Sequence, residues 1–97
     1  MEIQHQKQNN QGVFFIANED GEHLASMTYI MDSPTIMRIE HTSVSEQLAG
    51  QGVGKKLVEA GVNFAREHQY KIIPACSYAN AVIEKTEIYH DVWQRDV

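Results

Sequence analysis

Cysteine is nearly absent from this 97-residue sequence, in which Cys76 is the only one. A single cysteine excludes an intramolecular disulfide and is typical of proteins in a reducing compartment. Long apolar runs are also absent, since none approaches the roughly 20 residues that a membrane-spanning helix requires. The first residues are rich in glutamine and contain no hydrophobic signal core. We therefore expect an uncleaved cytoplasmic protein that does not associate with membranes.

Positive charge is scarce as well. The chain has 8 lysine and arginine residues against 13 aspartate and glutamate residues, which gives a formal net charge of -5. Because binding to a phosphate backbone requires a basic surface, the composition does not favour a nucleic-acid partner. One cysteine and scattered histidines lack the spacing of metal ligands, so no metal is expected. The length predicts one soluble domain over residues 1–97, present as a monomer or weak dimer.

Three short segments with the composition of β-strands occupy the first half of the chain. They cover residues 12–17, 23–31 and 35–43, and an Asp-Gly turn and a Ser-Pro turn separate them. We therefore expect a three-stranded antiparallel meander after a polar N-terminal segment. Strict alternation in the third strand predicts that one face carries Met37, Ile39, His41 and Ser43.

The most glycine-rich stretch of the chain is residues 47–54, which contains Gly50, Gly52 and Gly54. Glycine tolerates a positive φ and lets a bulky anion approach the backbone. The stretch leads into the longest helical pattern, and the first N–H groups of a helix have no partner within it. On spacing alone, the stretch predicts either a structural turn or a phosphate-binding loop.

A helix, a strand and a second helix are predicted after the glycine-rich stretch. Apolar residues recur at helical spacing from Val53 to Ala65, and residues 70–76 form a fourth apolar strand. Because a crossover helix joins the third and fourth strands, we expect them to be parallel neighbours. Pro74 places the fourth strand at an edge, a bulge or a splay. The predicted fold is therefore a compact α/β (α+β) domain, in which a meander precedes a βαβ unit and a C-terminal helix.

Three motifs of the sequence resemble those of a known superfamily. Residues 41–44 read His-Thr-Ser-Val, residues 47–52 read Gln-Leu-Ala-Gly-Gln-Gly, and residues 74–78 read Pro-Ala-Cys-Ser-Tyr. In this order they resemble the GNAT superfamily of N-acetyltransferases, and in particular its small single-domain acetyl-CoA-binding members. The resemblance extends from about Val13 to Trp93. One departure is the His-Pro-Glu-Tyr often found in the last helix, of which only the tyrosine, Tyr89, is retained.

The resemblance implies that the protein binds acetyl-CoA as a co-substrate and transfers the acetyl group to an amine of an unidentified acceptor. A non-catalytic acyl-CoA-binding or sensing module is the alternative. The pyrophosphate would lie on the glycine-rich loop, and the pantetheine arm would lie along the end of the third strand. The cofactor-binding residues implied are His41, Thr42, Ser43, Val44, Gln47, Gly50, Gln51, Gly52, Val53, Gly54, Lys55, Cys76, Tyr78 and Asn80.

Cys76 and His41 are the candidate catalytic residues. Both are predicted near the C-terminal ends of adjacent parallel strands, where α/β folds form ligand sites. Cys76 precedes a helix N-terminus, which favours a thiolate that could accept the acetyl group while His41 accepts a proton. A buried structural cysteine and a structural histidine are the alternatives. Relatives commonly use a sheet glutamate as the base and a tyrosine of the last helix as the acid, and the residues available for those roles are Glu40, Tyr78 and Tyr89.

Overall fold

The computed structural model describes residues 2–95 of the chain and is built around a five-stranded sheet. The strands are β1 (Gln4–Gln8), β2 (Gln11–Ala17), β3 (His23–Ser33), β4 (Ile36–Val44) and β5 (Lys71–Pro74). The helices are α1 (Val53–His68) and α2 (Ser77–Lys85), and two short 3₁₀ segments cover Glu46–Leu48 and Glu87–Val92. Within the described residues, every helix is too short or too polar to cross a membrane.

The order of the strands across the sheet follows the order of the chain. β1 to β4 pair antiparallel, and β5 is parallel to β4 across the α1 crossover. The predicted meander, βαβ unit and C-terminal helix are therefore confirmed. β5 is an edge strand whose last pair joins Pro74 to Ile39, so the missing proline N–H is tolerated there, as predicted.

β1 is a strand in the segment whose composition predicts only a polar lead into the meander. It pairs with β2 along its whole length, and a tight turn with Asn9 at a φ of 57° joins the two strands. Its residues are three glutamines, one lysine and His5. The segment therefore lacks the alternating apolar residues that would predict a strand. The backbone hydrogen bonds to β2 hold this segment in the sheet, although only His5 presents a ring to the core.

α1 lies across one face of the sheet and contacts four strands, β2 to β5. The predicted apolar stripe faces the sheet, and Val58 and Val62 join it because the helix lies over the middle of the sheet. The buried side chains of α1 are Val53, Leu57, Val58, Val62 and Ala65.

We call the opposite face of the sheet the open face, since within the described residues no helix covers it. One row of residues across the open face consists of Gln6, Val13, Thr28 and His41.

A β-bulge in β4 changes which side chains face the helices. β3 and β4 stay in register up to Ile39 and again from His41, so Glu40 has no partner on β3. Ile39 and Thr42 therefore both face the helices, whereas Glu40 and His41 both lie on the open face. The predicted alternation, which placed His41 and Ser43 on the face of Ile39, is wrong beyond the bulge because one extra residue shifts the phase of the strand.

The chain leaves the sheet after Pro74 and turns into α2. The N–H group of Cys76 donates to the Ile39 carbonyl of β4 at 3.1 Å. α2 begins directly after Cys76 and ends at Lys85. The following segment returns to the body, where Trp93 bridges to Ile72.

A cluster of aromatic rings surrounds His5 on the helix side of the sheet. The His5 ring stacks on Phe14 with centroids 4.1 Å apart and meets the edge of Phe64 at 4.7 Å. Its Nε2 lies 2.6 Å from the hydroxyl of Tyr29, which is only 2% exposed. Burial raises the pKa of Tyr29 to about 12. The Tyr29 hydroxyl therefore stays protonated and donates a hydrogen bond to Nε2 of the neutral His5 ring.

We expect acid to destabilise the protein through His5. Burial, and then the charges of Lys7 and His68, lower the pKa of His5 below 6.5. Its contribution to stability is thus fully present above the unfolded-state pKa and is lost as the pH falls from 6.5 through the lower folded-state pKa. Between about pH 7.5 and about pH 5, the free energy of unfolding measured in urea should fall more for the wild type than for His5→Gln. The glutamine side chain keeps an acceptor for the Tyr29 hydroxyl. Equal losses would contradict this assignment.

Candidate functional site

The glycine-rich stretch forms a tight loop between β4 and α1. Gly50 has a φ of 82° and Gly52 a φ of 72°, which is the left-handed region that side chains disfavour. Gly52 is also the N-cap residue of α1. The side-chain amide of Gln51 donates to the Gln47 carbonyl at 3.3 Å and closes the loop on itself. Glycine is therefore required at two positions by the backbone conformation alone.

Several backbone N–H groups at the start of α1 are available to a ligand. The first helical hydrogen bond runs from the N–H group of Lys56 to the Gly52 carbonyl at 3.2 Å. In the part of the chain that the structure describes, the N–H groups of Gly52, Val53, Gly54 and Lys55 donate to no protein atom, as the geometry of a first helical turn dictates. These N–H groups and the helix dipole together attract an anion.

A groove of about 350 Å³ lies between this loop and the end of β4. One end of the groove meets the N–H groups of α1, and apolar side chains form much of its wall. It therefore suits a ligand that is anionic at one end and extended beyond it. The lining residues are Thr42, Val44, Leu48, Ala49, Gly50, Gly52, Val53, Gly54 and Tyr78. Sequence reasoning missed Leu48 and Ala49, which fill the variable positions of the loop motif and carry no polar signal.

The end of β4 lies beside the groove and has one unpaired edge. The N–H group of Ser45 donates to the Leu24 carbonyl on β3 at 2.8 Å. Because alternate residues of a strand point their backbone groups the same way, those of Thr42 and Val44 point away from β3. β5 pairs with β4 only up to Ile39. Within residues 2–95, no strand therefore occupies this edge, and an extended ligand can hydrogen-bond to it.

Tyr78 closes one side of the groove by packing on Gly54. This tyrosine belongs to the first turn of α2 and is 40% exposed. A Cβ atom on Gly54 would lie 2.7 Å from the Tyr78 hydroxyl and 2.9 Å from its ring. The third glycine of the loop is thus required by a close contact between two helices and not by its own φ.

Cys76 lies where β5 has ended and α2 begins, with its thiol partly buried. The thiol donates to Thr42 Oγ1 at 3.4 Å. Burial on its own raises the pKa of Cys76, but hydrogen bonds from Thr42 and from the N–H groups of Ala79 and Tyr78 outweigh burial and lower the pKa below 9.0. The N-terminus of α2 therefore favours a thiolate at this position.

The structure does not bring His41 to Cys76. The bulge places His41 on the open face, whereas Cys76 contacts Thr42, whose side chain is on the helix face. The predicted pairing of the two residues is therefore corrected, and the side-chain neighbour of the thiol is Thr42. The sequence predicted Thr42 only as a cofactor contact. The bulge that turns Thr42 toward Cys76 cannot be detected from the hydrophobic pattern of β4.

The remaining predicted residues occupy different parts of the site. Gln47 and Gln51 hold the loop together, as described, and Lys55 is exposed in the first turn of α1. Ser43 follows Thr42 and lies on the opposite side of the strand. Asn80 is partly buried in α2, where its N–H group donates to the carbonyl of the N-cap residue at 2.9 Å. The Asn80 amide thus lies one helical turn beyond the thiol.

A family model described as GCN5-related N-acetyl-transferase matches residues 13–92. The solution structure of a GCN5-like protein from Staphylococcus aureus shares 42% sequence identity with the chain at a TM-score of 0.75. The match covers 96% of this chain and 87% of that one. Among curated proteins, no sequence matches the chain.

Two larger structures resemble the fold at 16% identity. One is a GNAT family acetyltransferase from Elizabethkingia anophelis with acetyl-CoA bound, at a TM-score of 0.57, with 78% of this chain and 52% of that chain covered. The other is YhbS from Escherichia coli in complex with CoA, at a TM-score of 0.55, with 63% and 37% covered. The chain thus spans about half or less of their length, and the likeness concerns the fold.

Proposed function

The chain belongs to the GCN5-related N-acetyltransferase family, and on that premise we propose that it binds acetyl-CoA in the groove between β4 and α1. The free N–H groups at the start of α1, which face a groove bordered by an open strand edge, are the observation that carries the proposal. They suit the pyrophosphate, which needs several donors at once. The exposed Lys55 adds a positive charge beside it.

The pantetheine arm would extend along β4 from the pyrophosphate toward Cys76. Its amide groups match the outward-pointing backbone groups of Thr42 and Val44, so the arm would form hydrogen bonds that another strand would otherwise make. Tyr78 would cover the arm from the side of α2. This course ends near the thiol, because Thr42 contacts both the groove and Cys76.

Acetyl transfer would proceed through Cys76. Its thiolate attacks the carbonyl carbon of acetyl-CoA, the bond from that carbon to the CoA sulfur breaks, and the CoA thiolate takes a proton from water. The acetyl group is then held on Cys76 as a thioester. The features that support this step are the lowered pKa of Cys76 and its place at the N-terminus of α2.

The second step would transfer the acetyl group to an amine. The neutral amine attacks the thioester carbon, a C–N bond forms, and the bond to the Cys76 sulfur breaks and restores the thiolate. The nitrogen then loses its extra proton. Water accepts that proton, because His41 lies on the open face of the sheet, away from Cys76.

We expect Gly54→Ala to weaken acetyl-CoA binding by about tenfold, which corresponds to about 1.4 kcal/mol. The new methyl group would meet the Tyr78 ring, and the half-exposed tyrosine would swing away from the groove. Isothermal titration calorimetry with acetyl-CoA measures this loss.

Gly61→Ala is the matched control for Gly54→Ala. It lies two turns later on the same helix, and its Cβ atom would also come within 2.7 Å of a side chain, the flexible end of Met27. Both variants gain the same helix propensity, but only Gly54 borders the groove. If the two variants bind acetyl-CoA with equal affinity, the cofactor does not bind in the groove between β4 and α1.

A further inference from the structure

Thr42 lies between the groove and the thiol of Cys76. Its side chain lines the groove, and its hydroxyl oxygen is 3.4 Å from Cys76 Sγ. Within residues 2–95, the hydroxyl has no hydrogen-bond partner other than this thiol. The Thr42 hydroxyl is therefore free to serve the sulfur alone.

A threonine hydroxyl can bond to both protonation states of a thiol. It is a donor and an acceptor, and its hydrogen rotates to suit the partner. Thr42 accepts a hydrogen bond from the neutral Cys76 thiol, and it can donate one to the sulfur after the thiol has lost its proton to water. A hydrogen bond to a charged group is roughly twice as strong as a neutral one. The contact therefore favours the thiolate over the thiol.

β4 fixes the geometry of this contact before any ligand binds. Thr42 is paired with Met27 on β3, and the bulge at Glu40 directs its side chain to the helix face. Branching at Cβ restricts χ1 of a threonine, so the hydroxyl has few other positions. The N–H group of Cys76 donates to the Ile39 carbonyl at 3.1 Å. β4 thus holds the main chain of Cys76 through Ile39 and its sulfur through Thr42.

Hydrogen bonds, and not ion pairs, act on the thiol against the effect of burial. The titratable side chains nearest to it along β4 lie on the open face, and those of α1 and β5 are exposed. In α2 the nearest one packs its hydroxyl on Gly54. These residues are Glu40 and His41 in β4, Lys55 in α1, Lys71 in β5 and Tyr78 in α2.

We propose that Thr42 is the positioning residue of the nucleophile, and that its hydroxyl donates to the Cys76 sulfur and stabilises the thiolate that attacks acetyl-CoA. The inference rests on the proposed function for the role of the thiolate. The contact between the two side chains, however, is present without acetyl-CoA and can be tested without it.

The test is the pH dependence of the alkylation of Cys76 by iodoacetamide in the full chain. Cys76 is the only cysteine, so intact-mass spectrometry follows its reaction alone, and the rate depends on the thiolate fraction. Thr42→Val keeps the shape of the side chain and removes the hydroxyl. It should raise the pH of half-maximal rate by about one unit and slow the reaction near pH 7 roughly tenfold. An unchanged pH profile overturns the proposal.

Two further variants separate the hydroxyl from a general structural effect. Thr42→Ser restores the hydroxyl and should react within about threefold of the wild type near pH 7. Thr35→Val makes the same chemical change at an exposed position before β4 and should leave the pH profile intact. If Thr42→Ser reacts as slowly as Thr42→Val, the hydroxyl is not responsible and the proposal fails.

Incubation with acetyl-CoA distinguishes this inference from the proposed function. If the wild type gains no acetyl group but Thr42→Val still raises the alkylation midpoint, acetyl transfer through Cys76 fails while the role of Thr42 stands. If the wild type is acetylated and Thr42→Val keeps the wild-type alkylation profile, acetyl transfer stands and the role of Thr42 is overturned.

Discussion

Replacing Cys76 with serine is expected to reduce acetyl transfer by roughly 100-fold or more while acetyl-CoA still binds. A serine hydroxyl does not ionise in the way that the thiol does, so the stabilisation by Thr42 and by the N-terminus of α2 no longer produces a nucleophile. Intact-mass spectrometry after incubation with acetyl-CoA should show one added acetyl group on the wild type and none on the variant. Calorimetry should give both proteins the same affinity.

The neighbouring substitution Ser77→Ala is the control for the cysteine experiment. Ser77 is exposed at the first position of α2, so the loss of its hydroxyl should change neither binding nor acetylation. Full turnover by Cys76→Ser would rule out the covalent intermediate and favour direct transfer from acetyl-CoA to the amine. Binding of acetyl-CoA by the wild type with neither a mass change nor turnover of any amine would favour a sensing module.

Replacing Gly12 with alanine is expected to destabilise the fold by about 3 kcal/mol. A Cβ atom on Gly12 would overlap the ring of Tyr29, which is buried and held by its hydrogen bond to His5. The ring cannot move without breaking that bond or displacing Phe14 and Phe64. For a domain of this size, thermal unfolding followed by circular dichroism should show a melting temperature lower by about 12 °C or more.

Gly21→Ala separates this overlap from the general effect of losing a glycine. Gly21 lies in the turn between β2 and β3 with a φ of 83°, and a Cβ atom there would meet no other atom within 4 Å. Its substitution should cost only the strain of a left-handed residue, about 1 to 2 kcal/mol. If Gly12→Ala is no more destabilising than Gly21→Ala, the close packing of Tyr29 on β2 is incorrect.

Elements with a strong hydrophobic period were predictable from the sequence. The buried stripe of α1 repeats every three to four residues, and β2 and β3 consist largely of strand-forming residues between clear turn signals. The parallel pairing of β4 and β5 then followed from the length of the helix between them. The glycine-rich loop was also predictable, because glycine is the residue that adopts a positive φ without strain, and Gly50 and Gly52 both do so.

Features that depend on a partner elsewhere in the chain were not predictable in this way. β1 is held by backbone bonds to β2, and those bonds do not depend on hydrophobic side chains. The bulge at Glu40 arises from the register between two strands, so the local sequence of β4 alone does not reveal it. Its effect on the site is large, because one extra residue exchanges His41 for Thr42 as the neighbour of Cys76.

The edge of β4, which no strand occupies within residues 2–95, has a consequence for the protein when no ligand is bound. A sheet edge that stays open for an extended ligand is equally open to a strand of another molecule, which is how many proteins begin to aggregate. On the proposed function, acetyl-CoA occupies this edge and shields it. The cellular supply of the cofactor would then govern how long the protein stays dispersed as well as how fast it works.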